Sequence, residues 1–238
     1  MAVESPNRIT FNEHPFAIQL AKYWEIALKR EGFKQSNPEY DHLMKVNDQC
    51  SKIEHTLHTL QISRVLLAER HSLVEVYSRI GTRDFLRYVL ENYFLRITTY
   101  KDQILQLIDV VLELGIQKGP HFEKKLKAKV SGLKGIIDAI ERTNTLFINV
   151  KSIRNKIAHE GQLDNPHLHT LELNEVAFEE LPQYRPYIEE DSRNILNQLI
   201  LENTKDMIKI EEDLMTDFFS ILNALLEHFI KAVDSKEK

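Results

Sequence analysis

Arg154-Asn155-Lys156-Ile157-Ala158-His159 places an arginine, an asparagine and a histidine within six residues, at the end of a strongly helical stretch. Histidine has an unperturbed pKa near neutrality and can take or give a proton there. Arginine supplies a permanent planar cation whose fork of donors matches a phosphate. Asparagine can orient the imidazole or donate to a phosphate oxygen. This set predicts acid–base cleavage of a phosphodiester without a metal. Lys151 and Lys156 add positive charge around it and are candidate contacts to a nucleic-acid backbone.

Spacing decides how much weight the motif carries. Arginine, four to six residues and histidine also occurs at Arg8–His14 and Arg64–His71, about what composition alone produces. The stricter Arg-Asn-x-x-x-His arises by chance in roughly 3% of such sequences. Only Arg154–His159 satisfies it. The competing structural role is helix capping: a histidine near a helix C-terminus meets the dipole favourably and can bond the last carbonyls. Five residues on an ideal helix also turn through about 140°, so Arg154 and His159 do not share a face. Either the helix ends near Ala158, or the site is assembled from two subunits.

The elements that must hold this segment read as helices throughout, and strand signals are nearly absent. A first amphipathic helix is predicted over 14–31, closed by Gly32. Asn37-Pro38-Glu39 then supplies an N-cap, a proline at N1 and an acidic first turn. A helix is predicted from there to Ile80, with Leu43, Val46, Cys50, Ile53, Leu57 and Leu60 spaced three and four apart. That heptad seam requires a helix partner, within the chain or outside it. Thr82 opens a central helix to about Gly115, with apolar residues on more than one face. A short lysine-rich helix to about Val130 and the motif helix from Leu133 to Ile157 come next. Residues 161–186, with three prolines, read as a long loop and a candidate lid. A last helix is predicted from Tyr187 to Val233, kinked near Asn203. The sum is an all-α, up-down bundle of long helices.

Bulk properties bound the function. The 238 residues carry a net charge of -5, so any pull on nucleic acid must be local. Lys124, Lys125, Lys127, Lys129 and Lys134 form one basic patch, read as a solvated helix face, and Lys151, Arg154 and Lys156 form the other. The opening residues lack a basic and an apolar region, so no signal peptide is expected. No apolar run is long enough to cross a membrane. Cys50 is the single cysteine, which suggests a reducing, cytosolic setting. Cys50, Glu54 and His58 share a helical face, but a fourth metal ligand is missing, so no metal is expected. His167 and His169 read as surface histidines. Arg96, Tyr100 and Asp102 could support the site, although an internal structural network is the simpler role. Phosphate-binding loops, dinucleotide-binding glycine patterns and zinc-finger spacings do not occur.

With these residues in place, the chain resembles the HEPN superfamily, whose Arg-x(4–6)-His motif closes a late bundle helix. Asparagine directly after the arginine is that motif's commonest form. The resemblance covers the motif and the helical pattern from about Thr82 to Val233. It implies a HEPN-like bundle over 82–238, with 1–81 as an N-terminal helical extension, or one continuous domain. It further implies a metal-independent endoribonuclease needing no cofactor, a homodimer with two motifs facing each other, and RNA as partner. Arg154, Asn155 and His159 would be catalytic, with Lys151 and Lys156 on the RNA. Toxin–antitoxin, abortive-infection and CRISPR-linked settings come with the family, and with them an antitoxin or other protein partner. One subgroup carries a nucleotidylated tyrosine two residues after the histidine. Here Gly161 stands in that place, which separates the chain from that subgroup. The rival from another class is a non-catalytic helical protein that binds a partner helix through the Leu43–Leu60 seam, or binds RNA or nucleotide without cleavage.

Overall fold

In the computed structural model the described residues are 11–31, 38–68, 82–160, 163 and 165–235. They form seven α-helices and two short 3-10 turns, with no strand among the described residues. In chain order these are α1 (Pro15–Glu31), α2 (Pro38–Ala68), α3 (Thr82–Val111), α4 (Phe122–Lys129), α5 (Lys134–Glu160), α6 (Pro166–Glu180) and α7 (Arg185–Asp234). The all-α architecture predicted from periodicity is the one observed. The predicted continuation of α2 to Ile80, and Arg8 and His71 of the looser motif matches, lie outside the described residues.

The chain divides into two compact units. Unit 1 comprises residues 1–55, 100–145 and 215–238, and unit 2 comprises 56–99 and 146–214. α2, α3, α5 and α7 each contribute residues to both units.

Unit 1 has an aromatic core. Phe16 packs at 4.8 Å on Phe229, and Tyr23 meets the same ring edge-on at 5.8 Å while donating a 2.7 Å hydrogen bond to Asp234. Phe218 and Tyr100 are fully buried, as are Leu43, Val46, Cys50 and Ile53 of the α2 seam. α3 ends in a Schellman motif: the Leu114 N–H reaches Asp109 O at 3.1 Å and the Glu113 N–H reaches Val110 O at 3.2 Å. Glu113 occupies the left-handed position with φ 50°, where glycine is the usual residue, at a cost of about 1 kcal/mol. Its carboxylate lies 3.5 Å from the imidazole of buried His42.

The core of unit 2 is mainly aliphatic, with Leu57, Leu60, Leu86, Leu90 and Val150 buried along with Phe147. Buried Tyr93 donates a 3.0 Å hydrogen bond to the Met207 carbonyl. The Leu43–Leu60 seam is thus buried within the chain over its whole length.

Two elements depart from the sequence-based expectation. Residues 166–180, expected to be loop, are helical: Asn165 accepts hydrogen bonds from the His167 and Leu168 amides at 3.0 and 3.2 Å, and Pro166 opens the helix. Proline at N1 after an asparagine cap starts a helix, so here the proline is a beginning and not a break. α7 is one uninterrupted helix of 50 residues, about 75 Å long at 1.5 Å per residue. Asn203, the expected kink, donates to Leu199 O at 2.8 Å inside it.

Candidate active site

The motif lies in the last turns of α5, whose segment from residue 146 onward belongs to unit 2. The inward stripe of α5 there is Phe147, Val150 and Ile157, all buried, while Ile148 and Lys151 are exposed. Position 154 falls in register with Phe147 and Val150, seven and four residues on. Position 159 falls in register with Ile148, eleven residues on. The helix does not end at Ala158 but runs on to Glu160, so positions 154 and 159 are separated by about 140° around one axis. Asn155 is half-buried. The side chains of Arg154, Lys156 and His159 lie outside the described residues.

Beyond α5 the chain is tied back to α3. The Leu163 amide donates a 2.7 Å hydrogen bond to Glu91, and the Leu163 side chain is buried. One and two turns earlier on α3 stand Arg87 and Arg83. The Arg83 guanidinium lies 3.1 Å from Glu175 and 3.5 Å from Glu172 of α6, and 3.0 Å from Asp84. The hydrogen bond to Asp84 comes first in holding the Arg83 pKa above its ordinary value. The Nε of Arg87 is buried with no hydrogen-bond partner among the described residues. Arg83, Arg87 and Glu91 thus share one face of α3 at helical spacing, with Glu91 holding Leu163 and Arg83 meeting α6. The motif-based reading does not find this stripe; its i, i+4, i+8 spacing is the one signal the sequence carries for it.

The other residues singled out in the sequence do not gather here. Tyr100 belongs to unit 1, where its buried hydroxyl donates to Asp217 at 3.4 Å, the internal network expected of it. Arg96 is exposed. Cys50 is buried in the α2 seam, and burial pushes its thiol pKa up, with the Glu54 charge adding to the shift. His58, on the same helix, is exposed. No group of three metal-ligating side chains occurs among the described residues. His167 lies 3.3 Å from Glu202, and His169 3.9 Å from Glu172. No described helix is long and apolar enough to cross a membrane.

The family model described as Cthe2314-like HEPN matches residues 75–231, more than half of the chain and inclusive of the motif. Neither a curated protein nor a solved structure matches it.

Proposed function

From a chain that belongs to the HEPN family, we propose a metal-independent RNA endonuclease acting as a homodimer. The observation that carries the reading is the strict Arg-Asn-x-x-x-His motif on α5, inside the family-matched span.

RNA supplies its own nucleophile. One His159 takes the proton of a 2′-OH, whose oxygen forms a new bond to phosphorus. The bond from phosphorus to the 5′ oxygen breaks, and His159 of the second copy protonates that leaving oxygen. The products are a 2′,3′-cyclic phosphate and a free 5′-hydroxyl. Arg154 binds the phosphate through paired N–H donors and stabilises the charge of the phosphorane. Asn155 orients the imidazole, and Lys151 and Lys156 hold the RNA backbone. The 140° between positions 154 and 159 supports a site built from two copies, since the two positions fall on different faces of the helix. Family analogy extends the reading to stress or phage defence in the cytoplasm, with an antitoxin or other protein restraining the enzyme.

The rival seam-docking scaffold has lost its surface, since Leu43, Val46, Cys50, Ile53, Leu57 and Leu60 are all buried inside the chain. The test is cleavage of tRNA and total RNA in EDTA, comparing wild type with His159→Ala. We expect cyclic-phosphate ends from the wild type and a rate roughly 10²–10⁴-fold lower in the variant, the range of general acid–base catalysis. Equal rates in both, or intact RNA with both proteins folded and dimeric, would remove the nuclease.

A further inference from the structure

Between residues 118 and 134 the chain carries six lysines and one acid, against a net charge of -5 for the whole. The fold turns that composition into a surface. Glu123, the single acid, is half-buried: Lys101 and Lys127 each reach it at 2.9 Å and Asn144 donates to it at 2.8 Å. Partial burial opposes its charge, but these three bonds outweigh burial and hold its pKa down at about 2. Lys127 is consumed by Glu123 and by Glu141 at 2.8 Å. Lys124, Lys125, Lys129 and Lys134 remain exposed. Lys125 and Lys129 stand one turn apart and line an open groove of about 550 Å³ against the turn after α3, with Leu114, Gly115, Ile116, Gln117 and Ala128.

We propose that α4 and this groove form a docking surface for the phosphate backbone of single-stranded RNA, separate from the motif, with Lys125 and Lys129 as its principal contacts. This rests on the reading of RNA as the substrate and adds a second place where the same molecule is held. A polyanion fits the surface better than a protein or a bilayer does. Lysine is depleted at the cores of protein interfaces, which are built on large apolar and aromatic anchors. No large hydrophobic is exposed between residues 96 and 147, so the surface offers neither such an anchor nor a side chain to insert among lipids. The groove lining is mostly apolar, and the Gln117 amide in it can bond a base edge. With no aromatic ring lining the groove, binding tracks charge and tolerates sequence.

The test uses the full-length His159→Ala chain, so that RNA stays intact, and a fluorescent 20-nucleotide RNA titrated over a range of salt. Lys125→Ala with Lys129→Ala should weaken binding by about tenfold. It should also flatten the slope of log affinity against log salt by about 0.7 per lysine removed. An unchanged slope, no RNA binding by the parent chain, or lysine-dependent binding to phosphatidylserine vesicles without RNA binding would each overturn the proposal. With His159 intact, the same double substitution should raise KM for long RNA and leave kcat and dinucleotide cleavage unchanged. If cleavage survives His159→Ala while the salt slope still falls, the active-site reading fails and this surface stands.

Discussion

In unit 1 a buried carboxyl, Asp217, is met by two hydroxyls; in unit 2 a buried carboxylate, Glu211, is met by a guanidinium. The Arg64 Nε lies 3.0 and 3.1 Å from the two oxygens of Glu211, which is 2% exposed. Thr143 reaches Asp217 at 2.8 Å and Tyr100 at 3.4 Å, and the second Asp217 oxygen is buried without a hydrogen-bond partner among the described residues. Both sites keep an acid away from water, one with a counter-cation and the other by lowering the carboxyl's tendency to ionise. Burial pushes the Asp217 pKa up to about 6, against the opposing pull of Thr143, Arg142 and Tyr100. A protonated Asp217 also resolves the bonding. Its O–H can donate to the Thr143 hydroxyl, which then donates to Ala139 O at 3.1 Å. The lesson is that one chain can bury a carboxyl against a guanidinium or against hydroxyls, and the second arrangement leaves Asp217 poised near neutrality.

The strongest way to break that contrast is Arg64→Ala. It removes the Arg64 guanidinium that meets buried Glu211, and we expect a loss on the order of 3 kcal/mol in urea unfolding at pH 7. A loss below about 1 kcal/mol would mean that the pair contributes no more than a surface ion pair. Next comes the pH dependence of unit 1. The folded chain holds the Asp217 proton more tightly than the unfolded chain, so this group's contribution is greatest below pH 4. It falls as pH rises from about 3.8 through about 6. The decline amounts to roughly 2–3 kcal/mol, and Asp217→Asn should remove it. Stability profiles of wild type and variant that run parallel between pH 4 and 7 would count against this account. The smallest effect sharpens the local picture of unit 2. Asn165→Ala removes the cap of α6 and should cost about 1 kcal/mol, seen first as faster amide exchange at His167 and Leu168.

Legibility in the sequence tracks the range of the interaction. The α2 seam is readable because heptad spacing is local, and all six of its residues are buried. Asn37-Pro38 reads as a helix start, yet the same dipeptide at Asn165-Pro166 reads as loop. The difference lies in the residues after each proline. α6 buries Leu168 and Leu171 but exposes Leu173 and Val176, so it shows no clean apolar stripe. Without that stripe, three prolines nearby outweigh the cap. Pairs such as Arg64–Glu211 and Tyr100–Asp217 join residues 147 and 117 positions apart, which no periodicity announces. The motif itself is legible by residue type and spacing. That its helix runs through the histidine to Glu160 is not, because Gly161 marks a possible stop without fixing the last turn.

The alternation of α2, α3, α5 and α7 between the units bears on how the gene can vary. No contiguous stretch of codons encodes either unit, because each draws on segments scattered along the chain. A fragment cut to residues 75–231 would lack Leu43, Val46 and Ile53 of one unit and Leu57 and Leu60 of the other. Single-codon insertions should be the harshest lesions. One extra residue in α7 before Phe218 turns every later side chain by about 100°, swinging Phe218, Leu225 and Phe229 off the buried face together. Tolerated changes in length should therefore collect in the connections between helices, and the reading frame of each long helix should be inherited as a block.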